Sequence, residues 1–160
     1  MRLNKAIALA LVLFGGSCMA TSAFSEEKDI ECVSTTFRLT GNDKVCVSRF
    51  DDETLGGVSC YISQARTGGV KGTLGVAEDP SRFALSCNQT GPIAVDISKL
   101  KDREEVFSSK TSLIFKHTQV YRMVDADRKT LVYVAFSDRV IEGSPYNAVA
   151  SVAVRPWSAP

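Results

Sequence analysis

Past the first two dozen residues, apolar and polar positions alternate in short runs rather than recurring every three or four places. Val33, Thr35, Phe37 and Leu39 share one side of residues 32–39, the pattern of a half-buried strand. Gly41 and Asn42 supply turn chemistry, and residues 45–50 return as the second arm of a hairpin. Further strands are predicted at 58–62, around Phe83, Leu85 and Cys87, around Ile93, Val95 and Ile97, and at 118–124, 130–136 and 149–154. Residues 106–107 and 113–115 are β-prone. Asp125, Ala126, Asp127, Arg128 and Lys129 read as a hairpin connection, and Asp51, Asp52 and Glu53 as an acidic turn. Residues 25–31 read as a loose charged arm, and 98–105 have room for a turn or two of helix. No long stretch after the N-terminus has helical periodicity. The expected fold is therefore an all-β, single-domain antiparallel sandwich or barrel with helix a minor part.

The N-terminus follows a different rule. Arg2 and Lys5 precede an apolar run, AIALALVLF, at residues 6–14, which Gly15 and Gly16 break. That run falls short of the roughly 20 residues a membrane-crossing helix needs. It fits a secretory leader cut after Ala23, with Ala20 and Ser25 as alternatives, leaving residues 24–160 as one β-rich domain without a transmembrane segment. Cys18 admits a lipoprotein anchor, but such signals carry Leu three residues earlier and this chain has Gly15. Losing the leader removes Arg2 and Lys5, so 17 of the 19 basic residues face 18 acids and the net charge moves from +1 to −1. A near-neutral exported chain lacks the positive excess of a nucleic-acid binder.

The cysteines sharpen this picture. Cys32, Cys46, Cys60 and Cys87 remain after the leader, an even number that suggests disulfides outside the cytoplasm, with three connectivities possible. No C-x-x-C spacing occurs and the chain has 1 histidine, so a thiol metal site is not expected, and no cofactor is implied. A Cys60–Cys87 bridge would pin the base of a long glycine-rich loop. Cys32–Cys46 would be the remaining pair. A plain hairpin turning at Gly41 and Asn42 sets Cys46 opposite Phe37 instead, so two buried free thiols are an alternative.

Within that loop, Gly68, Gly69, Gly72 and Gly75 surround Lys71. The order G-G-V-K-G-T lacks the G-K-[ST] of a phosphate loop, and no helix follows it, so nucleotide binding is rejected. The glycines serve a folded loop through positive φ, or an anion or partner site in which backbone N–H groups stand with Arg66 and Lys71. Glu78 and Asp79 are adjacent and point to opposite sides of an extended segment, so they make no carboxylate pair alone. They fit a turn before Pro80. His117 lies in a strand and no G-x-S-x-G elbow presents a serine. Tyr146 and Trp157 close the candidate set. Trp157 is expected to pack on the sheet, or with Tyr146 to form an aromatic contact surface.

CYISQARTGG, KGTLGVAED, EVF, TSLIFK and EGSPYNAVASVAVRPW, in that order, resemble the CreA family (catabolite regulation protein A) of bacterial envelope proteins, over residues 33–157. The resemblance implies a periplasmic protein of a Gram-negative bacterium. It supports the Cys60–Cys87 pairing, and carries no activity or catalytic residue to transfer. The leading expectation is a non-enzymatic module that binds an envelope protein or other envelope component through residues 66–79. Its rivals are an envelope hydrolase using Glu78 or Asp79 with His117, and a carrier of a small apolar ligand inside a barrel.

Overall fold

The computed structural model describes residues 25–37, 39, 41–69, 83–110, 117–137 and 145–158. Its strands form two four-stranded antiparallel sheets, each a meander in chain order. One holds β1 (Lys28–Ser34), β2 (Lys44–Asp51), β3 (Val58–Arg66) and β4 (Phe83–Gln89). The other holds β5 (Arg103–Lys110), β6 (His117–Asp125), β7 (Thr130–Ser137) and β8 (Asn147–Ala153). The sandwich expectation holds, and the chain between β4 and β5 makes one 3₁₀ turn, Ile97–Lys99. The run at Ile93, Val95 and Ile97 forms no strand. It lies in the connection to β5, where Ile93 and Ile97 pack against the core.

Alternation explains which side chains go inside. Phe50, Val58, Cys60, Ile62 and Cys87 from one sheet meet Phe107, Val120, Leu131, Tyr133, Ala135 and Val152 from the other. Phe50 and Phe107 stack with centroids 4.3 Å apart, and Gln64 donates to Thr118 across the gap at 3.1 Å. On β7 both faces are apolar. Its outward Val132 and Val134 are half-buried among cross-strand neighbours Met123, Tyr121 and Val149, so alternation there is masked in the sequence.

The segment read as a loose arm is tied down. Ser25 is buried and accepts from the Asp51 N–H. The Glu27 carboxylate accepts from Ser48 on β2 and Ser109 on β5, so one acid bridges both sheets. At the opposite edge, the Gln89 side chain donates to the Arg155 carbonyl and accepts from its N–H, both at 3.0 Å, which joins β4 to the chain leaving β8.

Both cysteine pairs are disulfide-bonded. Cys60 and Cys87 are direct cross-strand partners within the β3–β4 ladder. From sequence this bond is expected at the base of a long loop; it lies instead inside the paired strands. Cys32 likewise faces Cys46. The hairpin register anticipated from Gly41 and Asn42 is wrong because the strands stop at Ser34 and Lys44, leaving residues 35–43 as a broad connection centred on Leu39.

Candidate functional site

Two constellations stand out, one buried and one at the end of the first sheet. The buried one begins at Asp52. Its N–H donates to the Val58 carbonyl and its carbonyl accepts from Leu55 and Gly56, closing the β2–β3 turn. The side chain then crosses to the second sheet. Arg122 Nη1 donates to both Asp52 oxygens at 2.9 and 2.8 Å, and the Tyr133 hydroxyl donates to Oδ2 at 2.9 Å. Arg122 Nη2 donates to Glu104 Oε2, whose other oxygen accepts from Lys101 at 3.0 Å.

Asp52, Arg122 and Tyr133 have no exposed surface. Burial foremost, then the Asp52 charge, pushes the Tyr133 phenol far above its usual range, while Arg122 pulls the other way. The ion pair is fully enclosed, with Arg122 Nη1 and Nη2 hydrogen-bonded and the buried Nε without a partner among the described residues. The pair's role is to fix one sheet on the other. From sequence, Asp52 reads as part of an acidic turn. Turn chemistry was visible locally, whereas its partner lies 70 positions away.

The second constellation contains three of the sequence-predicted binding residues, Arg66, Gly68 and Gly69. Arg66 ends β3 and pairs with Asp29 of β1 at 3.1 Å, both partly exposed. The Gly68 N–H donates to Asp43 Oδ1 at 3.1 Å. A side chain at Gly68 would bring its Cβ to 2.2 Å from the Asn42 carbonyl oxygen, and one at Gly41 would meet the Gly69 nitrogen at 2.5 Å. Gly69 and Gly41 also have φ of 75° and 117°, open to glycine at little cost. The glycines thus seat the chain leaving β3 directly on the β1–β2 connection.

That connection is held from within. Thr35 donates to the Asp43 carbonyl through its N–H at 2.8 Å and its hydroxyl at 3.1 Å, and the Asp43 N–H donates to Thr36 Oγ1 at 3.0 Å. Its apolar side chains point the other way. Val33 is 67% exposed, Phe37 89% and Leu39 100%. They were expected on a half-buried face. They are bare because β5 lies opposite β2, where Phe50 meets Phe107, and β1 is exposed over nearly its whole length.

Lys71, Glu78 and Asp79 lie outside the described residues. His117 opens β6 in register with Lys110 and is half-buried. Tyr146 precedes β8 and is exposed. Trp157 is 44% exposed and does not close the core edge as expected; Val154, three residues earlier, packs there instead. Between the sheets the Phe50 and Phe107 rings stack and the Asp52–Arg122–Tyr133 cluster is buried. Among the described residues no cluster of His, Cys, Asp and Glu could hold a metal, and no helix is long and apolar enough to cross a membrane.

Known proteins resemble the chain along almost its full length. Protein CreA of Escherichia coli (strain K12) is 44% identical over 156 residues, covering 94% of each chain, and Protein CreA of Escherichia coli O157:H7 matches equally. No solved structure matches it significantly. The family model described as CreA protein matches residues 30–157. This span takes in both disulfides, the buried cluster and the glycine-seated end, and the chain belongs to the CreA family.

Proposed function

We propose that the protein is an exported, non-enzymatic binding module of the Gram-negative periplasm. Its contact surface is the end of the sandwich where residues 66–79 leave β3. Export is supported by the leader-like residues 1–23, with cleavage after Ala23, and by two disulfides, which persist in oxidising compartments. The Escherichia coli relatives are in keeping with a Gram-negative envelope.

One observation carries the choice of surface. Gly68 and Gly69 sit backbone to backbone on Gly41 and Asn42, so the start of the 66–79 segment and the β1–β2 connection make one composite end. That end presents Arg66, and it presents Phe37 and Leu39 bare. Thr35, Thr36 and the Asp43 backbone bond to one another within the connection while Phe37 and Leu39 are bare, the reverse of a connection built only for solubility.

The test is a pair of variants, Arg66→Ala and Lys71→Ala. Arg66 makes a surface ion pair worth about 0–1 kcal/mol, so its loss moves the melting temperature little. Both variants keep the fold and lose capture of the envelope component that the unaltered protein retains. If both unfold instead, the segment is scaffolding and the proposal fails.

A further inference from the structure

We infer that the β1–β2 connection is a membrane-surface contact, inserting Phe37 and Leu39 into the interfacial layer of an anionic lipid surface. This deepens the proposed function, because it assigns a ligand class to the end where that reading places the contact.

Three observations support it. Phe37 and Leu39 are two residues apart and almost wholly bare at 89% and 100% exposed, with Val33 at 67% beside them on the same hairpin. A protruding pair of large apolar groups suits a deformable medium better than a matched protein pocket, and side chains of this type anchor peripheral proteins at the headgroup boundary. The backbone beneath them is held by the Thr35 and Thr36 bonds to Asp43 and by the Gly41–Gly69 contact, so insertion needs little further ordering.

Charge selects the kind of surface. The sequence places Arg38 between the two apolar residues. Lys44, at the start of β2, is exposed and lies across the ladder from Arg66. The Asp43 carboxylate of the connection accepts from the Gly68 N–H, and Arg66 is paired with Asp29. A bare apolar tip with the exposed Lys44 at its base matches anionic headgroups, with the electrostatic share falling as salt rises.

The same chemistry has less support along β1 itself. Its outward Cys32 N–H is taken by its own Glu31 carboxylate at 2.9 Å, and a bulge interrupts the strand between Asp29 and Glu31. These features blunt an edge against added strands, so the tip and not the strand edge is the exposed element available for contact.

The experiment is co-sedimentation of the protein, as the cell exports it, with vesicles of phosphatidylglycerol and phosphatidylethanolamine, beside vesicles of phosphatidylcholine alone. The unaltered protein binds the anionic vesicles more tightly than the neutral ones. Phe37→Ser with Leu39→Ser weakens that binding by about tenfold or more with an unchanged melting curve. Lys44→Glu weakens binding to anionic vesicles only. As a check that keeps the apolar bulk, Phe37→Trp in a Trp157→Phe background shows a blue-shifted emission when anionic vesicles are added.

Equal binding to both vesicle types, unchanged binding by the double variant, or no emission shift overturns the inference. So does a double variant that loses self-association in place of vesicle binding, which would make the occupant a second copy. Failure here leaves the proposed function separately testable, since a protein partner held by residues 66–79 would still be captured through Lys71.

Discussion

Arg122 and Asp52, 70 positions apart, meet with no exposed surface, one guanidinium nitrogen reaching both carboxylate oxygens at 2.9 and 2.8 Å. The contact ties the β2–β3 turn to β6, and Tyr133 of β7 completes it. Two sheets that are each a simple meander thereby acquire a fixed relative position.

Removing either charge alone leaves the other stranded in the core. Asp52→Ala or Arg122→Met should each cost about 3–5 kcal/mol, read as a lowered urea midpoint. Replacing the pair together, Asp52→Leu with Arg122→Met, should cost less than the two single losses added, because no unpaired ion is left. A double-mutant cycle in urea measures that difference.

The alkaline limb of stability should carry a tyrosine signature. Burial and Asp52 raise the folded Tyr133 pKa above the ordinary value of 10.0, so the protonated form is the one that folding favours. Its contribution is complete below the unfolded value and is lost as pH rises beyond it toward the folded one. Tyr133→Phe should flatten the fall in melting temperature above about pH 10, at a cost near neutrality of about 1 kcal/mol for the lost hydrogen bond.

On the acid side the sign reverses. The hydrogen bond from Lys101, aided by the Arg122 charge and opposed by partial burial, holds Glu104 below its ordinary 4.5. Stability from this group is present above that value and is lost as pH falls through the lowered folded one. Lys101→Ala should therefore cost a little stability at pH 7, and the difference from the unaltered protein should shrink as pH falls through the carboxylate range, read from circular-dichroism melting curves at each pH.

The two disulfides close 14- and 27-residue separations. In the chain-entropy model they contribute about 3 and 3.5 kcal/mol, most of it through the unfolded chain. Alkylation of the unfolded, unreduced protein should label none of Cys32, Cys46, Cys60 and Cys87, and prior reduction should expose all four, as a mass shift reports. Cys60→Ser with Cys87→Ser should lower the melting temperature more than Cys32→Ser with Cys46→Ser, since Cys60 is wholly buried and closes the longer loop.

Most strand positions, antiparallel pairing and the hairpin at residues 125–129 were legible from local pattern, since alternation and turn chemistry act over a few residues, although the alternating run at 93–97 forms no strand. What was hidden depends on distant partners or on their absence. Asp52 looks like any turn acid until Arg122 arrives from β6. Phe37 alternates like a core residue, but nothing in its neighbourhood reveals that the facing sheet begins opposite β2 and leaves the end of β1 bare. Glu27 reads as part of a charged arm, although its two serine partners lie on different sheets. The proposed site was half legible: the glycines at 68 and 69 were singled out in the sequence, and the apolar tip they pack beside did not appear in that reading.

Site-specific photocrosslinking in living cells tests the account most directly, with the probe placed at Lys71 and, as a reference, at Ser86 on the exposed face of β4. The account predicts a discrete crosslinked species from position 71, reduced when Phe37 and Leu39 are both serine, and none from position 86. Products that are equal at the two positions, or absent from position 71 in folded protein, would contradict it.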